Sequence, residues 1–152
     1  MVVKIKRIDK GLPLPKFETS GAVGFDLLAR VGKVVKPKEI VLIPANNIIE
    51  VPDGFALILA PRSSMPSKTG LCFPHSIGLL DQDYCGEEDE VQIQVQNLTD
   101  QEVVIKRGDR IAQGMFVKIE KADWEETDSM EHNKTRGGFG STGESITEKA
   151  ID

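Results

Sequence analysis

Fourteen glycines and eight prolines interrupt this chain, and between them lie short β-branched runs. That punctuation leaves little space for long helices, because glycine loses much entropy there and proline lacks the amide donor. Val2 to Ile8 alternates, while Ile40-Val41-Leu42-Ile43, Phe55 to Ala60 and Val103-Val104-Ile105 are compact apolar runs. Val91-Gln92-Ile93-Gln94-Val95-Gln96 has the plainest two-residue period, with aliphatics on one face and glutamines on the other. Ile111 to Ile119 is a longer strand candidate. Many short strands between turn signals read as an all-β sandwich or barrel. The best place for a helix is a turn or two after Ser63, with Met65-Pro66 limiting it. No internal repeat is present.

A chain of 152 residues predicts one domain. Its aromatics are only six Phe, one Tyr and one Trp, so the core must be built from Val, Ile and Leu. Nineteen Lys and Arg against 24 Asp and Glu give a net charge of −5, which argues against a nucleic-acid binder. A small anionic ligand held by a few clustered cations remains open. The start, Met1-Val2-Val3-Lys4-Ile5-Lys6-Arg7, lacks the apolar core of a signal peptide, and no run approaches the ~18 apolar residues of a membrane span. Cys72 and Cys85 form no disulfide framework and lack metal-ligand spacing. They read as free thiols of a cytoplasmic protein.

Several local patterns fail on context. Gly138-Phe139-Gly140-Ser141-Thr142-Gly143 fits GxGxxG, yet too little chain follows it for a dinucleotide fold. Its exposed amides and hydroxyls, with Arg136, still suit an anion such as phosphate. So close to the terminus, it reads as a mobile arm that orders on something, which divides the chain into a β domain 1–133 and an arm 134–152. Asp81-Gln82-Asp83-Tyr84-Cys85-Gly86 begins like a calcium loop, but Cys85 and Gln92 fall where hard-cation ligands belong. Glu87-Glu88-Asp89-Glu90 reads as a solvated loop. Pro61-Arg62-Ser63-Ser64-Met65-Pro66-Ser67-Lys68-Thr69-Gly70 is not a Walker A loop, although its hydroxyls, amides and guanidinium suit a phosphate. His75 and His132 are too isolated to argue a metal site.

Five segments in order resemble the five motifs of the trimeric dUTP diphosphatase (dUTPase) family. They are Ala22-Val23-Gly24-Phe25-Asp26-Leu27; Pro61-Arg62-Ser63-Ser64 with Lys68 and Gly70; Gly78-Leu79-Leu80-Asp81-Gln82-Asp83-Tyr84-Cys85-Gly86; Arg107-Gly108-Asp109-Arg110-Ile111-Ala112-Gln113; and Arg136-Gly137-Gly138-Phe139-Gly140-Ser141-Thr142-Gly143. Any single motif is weak, whereas five in register over residues 22 to 143 are specific.

The resemblance implies a jelly-roll-like β-barrel subunit with at most one short helix, a homotrimer with shared sites, and Mg²⁺-dependent hydrolysis of dUTP to dUMP and pyrophosphate. By position, Asp81 would activate the attacking water at the α-phosphorus. Tyr84 would pack under the deoxyribose and exclude a 2′-hydroxyl. Arg62, Ser63, Ser64 and Gln113 would hold the phosphates, and Asp26 would order the phosphate and metal region. Backbone groups of the Leu71–Asp81 hairpin, including Gly78, Leu79 and Leu80, would read uracil, with His75 beside them. Arg136, Phe139, Gly140 and Ser141 would close from a neighbouring subunit, Phe139 over the base. The metal would bind triphosphate oxygens and waters rather than a protein cage. Neither nucleic acid nor membrane is implied as a partner.

Some residues depart from the family pattern. Ser64-Met65-Pro66 replaces a frequent Gly-Leu-Ala, Cys85 replaces a frequent Arg, and the loop between Gly86 and Asn97 is a few residues longer than the family pattern, with the acidic run inside it. Two rival functions share the fold: a dCTP deaminase-like enzyme, which would need a glutamate as proton shuttle in the third motif, and a nucleotide-binding protein with a dead site. The third motif carries Asp81-Gln82-Asp83-Tyr84 in place of that glutamate, and the intact Asp81, Tyr84 and Phe139 speak against the dead site.

Overall fold

The computed structural model describes residues 1–130 and 134–138, and the chain divides into two units, Met1–Glu120 and Lys121–Asp152. In the second unit the described residues are exposed and carry no strand or helix. Phe139, Gly140, Ser141 and His132 lie outside the described residues, as does most of the expected arm.

The first unit is β-rich. Its strands are β1 (Ile5–Arg7), β2 (Phe25–Leu28), β3 (Lys33–Val35), β4 (Ile40–Pro44), β5 (Asn47–Ile49) and β6 (Phe55–Ala60). After the single helix α1 (Met65–Thr69) come β7 (Leu71–Cys72), β8 (Gly78–Leu80), β9 (Gln92–Asn97), β10 (Val103–Ile105) and β11 (Arg110–Lys118). A four-stranded sheet runs β2-β11-β6-β8 and a three-stranded one β4-β9-β7, with separate pairs β1-β5 and β3-β10. Every ladder is antiparallel.

Period-two patterning accounts for the core. Along β9, Ile93 and Val95 are fully buried while Gln92 is exposed and Gln94 is half-buried. Ile43 of β4 and Leu57 of β6 fill the same core with Leu27, Val35 and Ile49. Each such side chain contributes roughly 1.5–3 kcal/mol through burial. The core is mainly aliphatic, as the scarcity of aromatics requires, but Phe25 and Phe73 also belong to it.

Four local expectations change. Only Ile5–Arg7 of the Val2 to Ile8 stretch forms a strand. Pro66 does not limit the helix; it sits in the first turn, where a missing amide hydrogen costs nothing, and Gly70 ends the helix in the left-handed region at φ 70°. A Cβ at Gly70 would come within 2.0 Å of Thr99 Cγ2, so any side chain there would have to displace Thr99. Leu71–Asp81 is not a paired hairpin, because β7 joins β9 in one sheet and β8 joins β6 in another. The acidic run is a loop with Glu87 and Glu88 exposed, as expected, but its last residue is not solvated. Glu90 is buried against Arg30, and Glu87 pairs with Lys6.

Candidate active site

The cradle forms where three motifs meet at one end of the four-stranded sheet. Gln113 on β11 stands opposite Asp26 on β2 and opposite Ala60 on β6. Arg62, Ser63 and Ser64 follow directly after β6. Together with Glu18 and Gly24 these side chains line a cavity of about 230 Å³. A β-bulge at Ile111 sets their orientation: Arg110 pairs with Leu28 and Ala112 with Leu27, leaving Ile111 as the extra residue. Without it, residues 110 and 113 would point to opposite faces; with it, both reach the Asp26 side.

Asp26 is the electrostatic centre of this cradle. Its two oxygens lie 2.9 Å from Arg62 Nε and 3.2 Å from Arg110 Nε. Arg110 also donates to Glu18 Oε1 at 2.7 Å, and Lys16 lies 3.4 Å from Glu18 Oε2. Gln113 Nε2 donates to Pro61 O at 3.0 Å, which ties β11 to the turn bearing Arg62. A Cβ at Gly24 would meet Gln113 Oε1 at 3.3 Å, so the small residue leaves this amide its position. Ser64 is the N-cap of α1, yet its hydroxyl makes no capping bond and stays available to a ligand. Glu18 and Arg110 thus belong to the cradle. The Glu18 contribution had no signal in the sequence, whereas Arg110 lay within the fourth motif without an assigned part.

The residues of the third motif are elsewhere. Gly78, Leu79 and Leu80 line a separate cavity of about 320 Å³ with Phe73 and His75, whose rings stack at 5.7 Å. Asp81 follows β8 directly and is exposed, and its carboxylate makes no hydrogen bond or ion pair among the described residues. A turn follows, with Tyr84 N donating to Asp81 O at 3.4 Å. Gln82 Nε2 donates to Phe55 O at 3.0 Å and Pro52 O at 3.3 Å, anchoring the turn at the start of β6. The half-exposed Tyr84 donates its phenol O–H to Glu90 O at 3.2 Å.

Register separates these two groups within one chain. Leu80 pairs with Leu57 and Gly78 with Leu59, so Asp81 continues toward the N-terminal end of β6. Arg62 lies beyond its C-terminal end. At about 3.3 Å per residue, the rise from the position opposite Asp81 to Arg62 is about 20 Å. The structure therefore brings together Asp26, Arg62, Ser63, Ser64 and Gln113, and separately His75, Gly78, Leu79, Leu80, Asp81 and Tyr84. Arg136 is exposed and lies in the second unit.

Comparison with known proteins identifies the family. A dUTPase family model matches residues 10–143. The chain is similar to the deoxyuridine 5'-triphosphate nucleotidohydrolase of Wolbachia sp. subsp. Brugia malayi (strain TRS), 38% identical over 148 residues and 93% of each chain. The crystal structure of dUTPase from Streptococcus mutans superposes with a TM-score of 0.73 at 34% identity, covering 79% of this chain and 98% of that one. A mutant Staphylococcus bacteriophage 80alpha dUTPase with dUpNHpp shares the fold, with a TM-score of 0.82 at 23% identity over 93% of this chain and 98% of that one. Sequence and fold thus agree, and the chain belongs to the dUTPase family of deoxyuridine 5'-triphosphate nucleotidohydrolases.

Proposed function

We propose that the chain hydrolyses dUTP to dUMP and pyrophosphate at sites shared between the subunits of a homotrimer. The carrying observation is the separation of Asp81 from Arg62 along β6. A water activated by a carboxylate must lie about 3 Å from the phosphorus it attacks. One chain cannot bring Asp81 to a phosphate group held by Arg62, so the Asp81 of one subunit serves the cradle of another. A cyclic trimer repeats that contact three times and closes.

Within such a site Asp81 accepts the proton of a water attacking the α-phosphorus. Its carboxylate is exposed and carries no competing partner among the described residues, which favours this part. Arg62, Ser63, Ser64 and Gln113 hold the phosphate chain, and Asp26 fixes the Arg62 guanidinium. Tyr84 packs under the deoxyribose, and uracil enters the cavity beside Phe73, His75 and Gly78. Cytosine exchanges a donor for an acceptor there, and unpaired polar groups can cost a factor of ~10⁴. Arg136, Phe139, Gly140 and Ser141 complete the site, with Phe139 over the base.

The donor set fits Mg²⁺ only as carried by the nucleotide. Among the described residues no three His, Cys, Asp or Glu side chains gather for a metal, and the cradle carboxylates Asp26 and Glu18 are already paired with guanidiniums. Its residues would hold the triphosphate that bears the ion, namely Arg62, Ser63, Ser64 and Gln113. When bound, the ion neutralises charge on the phosphate oxygens. The cradle needs that help, because its own cations are largely balanced by its carboxylates.

The product dUMP would supply dTMP synthesis, and removal of dUTP would limit uracil in DNA. Free Cys72 and Cys85 suit the cytoplasm, and no helix among the described residues is long and apolar enough to cross a membrane. Incubation with dUTP and with dCTP in Mg²⁺ tests the reading. It predicts pyrophosphate from dUTP and no ammonia from dCTP. Ammonia would assign a deaminase, and neither product would leave a binding protein.

A further inference from the structure

The acidic run after Tyr84 is tied down at several points. Glu87 pairs with Lys6, Gly86 N donates to Asp89 Oδ2 at 2.7 Å, and Glu90 N donates to Glu88 O at 2.8 Å. Glu90 itself is buried, with 7% of its surface exposed. Its carboxylate takes a two-pronged grip from Arg30: Nε to Oε1 at 2.8 Å and a terminal nitrogen to Oε2 at 2.8 Å. A third bond comes from Asn46 N to Oε1 at 2.7 Å. Asn46 is held in turn, its side chain accepting from Asp9 N at 2.6 Å and donating to Asp9 O at 3.0 Å. One residue further, Val91 exchanges backbone bonds with Asn47 O and Ala45 N at 2.9 and 2.8 Å.

The Glu90 carbonyl is therefore fixed from both sides, and it accepts the Tyr84 phenol O–H at 3.2 Å. Tyr84 lies outside any strand, so this bond is the main polar restraint on the far end of its ring. Two bridging links, Arg30 to Glu90 side chain and Glu90 backbone to Tyr84, connect the Ala29-Arg30 turn after β2 to the ring. A fork of charge-assisted bonds resists both sliding and rotation, unlike a single point charge.

We propose that the partly buried Arg30–Glu90 pair is a positioning device for Tyr84, and that Arg30 and Glu90 are sugar-selectivity determinants although neither reaches the nucleotide. This rests on the reading of Tyr84 as the group under the deoxyribose. A hydroxyl is rejected by steric contact only if the ring cannot retreat, so freedom of a fraction of an ångström admits a ribonucleotide. The device tunes discrimination between deoxyribose and ribose rather than the proton transfer at Asp81.

The test is a double-mutant cycle on the ratio of kcat/KM for dUTP to that for UTP, with Mg²⁺ present. Glu90→Gln keeps the shape but weakens the fork, and Tyr84→Phe removes only the phenol bond. Each lowers the ratio at least about tenfold, chiefly by lowering KM for UTP, and the double variant falls no further than the worse single one. Arg30→Lys, which keeps charge without the fork, falls less than Arg30→Ala. A purely structural part for the pair predicts instead that both nucleotides lose equally and the ratio stays. That result, or additive losses in the double variant, overturns the proposal. Tyr84→Phe carries the test by itself if the Glu90 variant does not fold. Tyr84→Ala separates the two levels: an unchanged ratio in that variant refutes the sugar-gate reading, whereas a lost ratio there with an intact one in Glu90→Gln and Tyr84→Phe refutes the device alone.

Discussion

Gln113 stands directly across the ladder from Asp26, and both face the cavity that the Arg62-Ser63-Ser64 turn closes. The pairing joins the first and fourth motifs through backbone register, while the Gln113 bond to Pro61 O joins the second. Three segments far apart in sequence line one cavity because β11 lies between β2 and β6.

Asp26→Asn should reduce kcat/KM for dUTP roughly tenfold or more, since Arg62 and Arg110 lose a shared charged acceptor worth about 1.5–3 kcal/mol. The loss should fall mainly on KM, because the part proposed for the cradle is to bind phosphate rather than to activate water. Steady-state pyrophosphate release checks this. A change in kcat alone would place Asp26 in the chemical step.

Asp81→Asn should keep dUTP binding and lose turnover by about 10²–10⁴-fold, because an amide cannot take a proton from water. Calorimetric binding with single-turnover hydrolysis distinguishes the two quantities. Near-normal turnover would remove Asp81 from its part.

Gly70→Ala should destabilise the fold by roughly 2 kcal/mol or more, through positive φ and the clash with Thr99. Thermal melting of the variant measures it. This position also marks where sequence reading stopped short. Proline was an obvious breaker and glycine an obvious turn, but their order decides which begins and which ends the helix. The alternating glutamines of β9 were legible because period two is a local property. Glu90 was not, since its partner Arg30 is 60 positions away and only tertiary packing buries this one member of the acidic run against it. The five motifs were likewise legible as a set. Their division between two places was not, because strand register, rather than residue type, sends Asp81 and Arg62 to opposite ends of β6.

Acid should weaken the Asp9 contribution in a defined direction. Bonds from Arg107 first, and from Gly11 N, hold its carboxyl below the usual range. A carboxyl whose folded pKa is depressed stabilises the fold fully above its unfolded value, near 4, and loses that contribution as pH falls through the folded value. Asp9→Asn should therefore melt lower than wild type at pH 7, and the gap should close below pH ~4. A gap that stayed constant to pH ~2 would contradict the assignment.

Subunit complementation tests the shared site most directly. Asp81→Asn and Arg62→Ala are each predicted to be nearly inactive alone. When the two variants are unfolded together and refolded as a mixture, some sites pair the intact Asp81 of one subunit with the intact Arg62 of another. Random mixing into trimers then restores roughly a quarter of wild-type turnover, measured as pyrophosphate released from dUTP in Mg²⁺. If Asp81 and Arg62 of the same chain formed the site, no mixture could contain an intact one, and turnover would stay at the level of the separate variants.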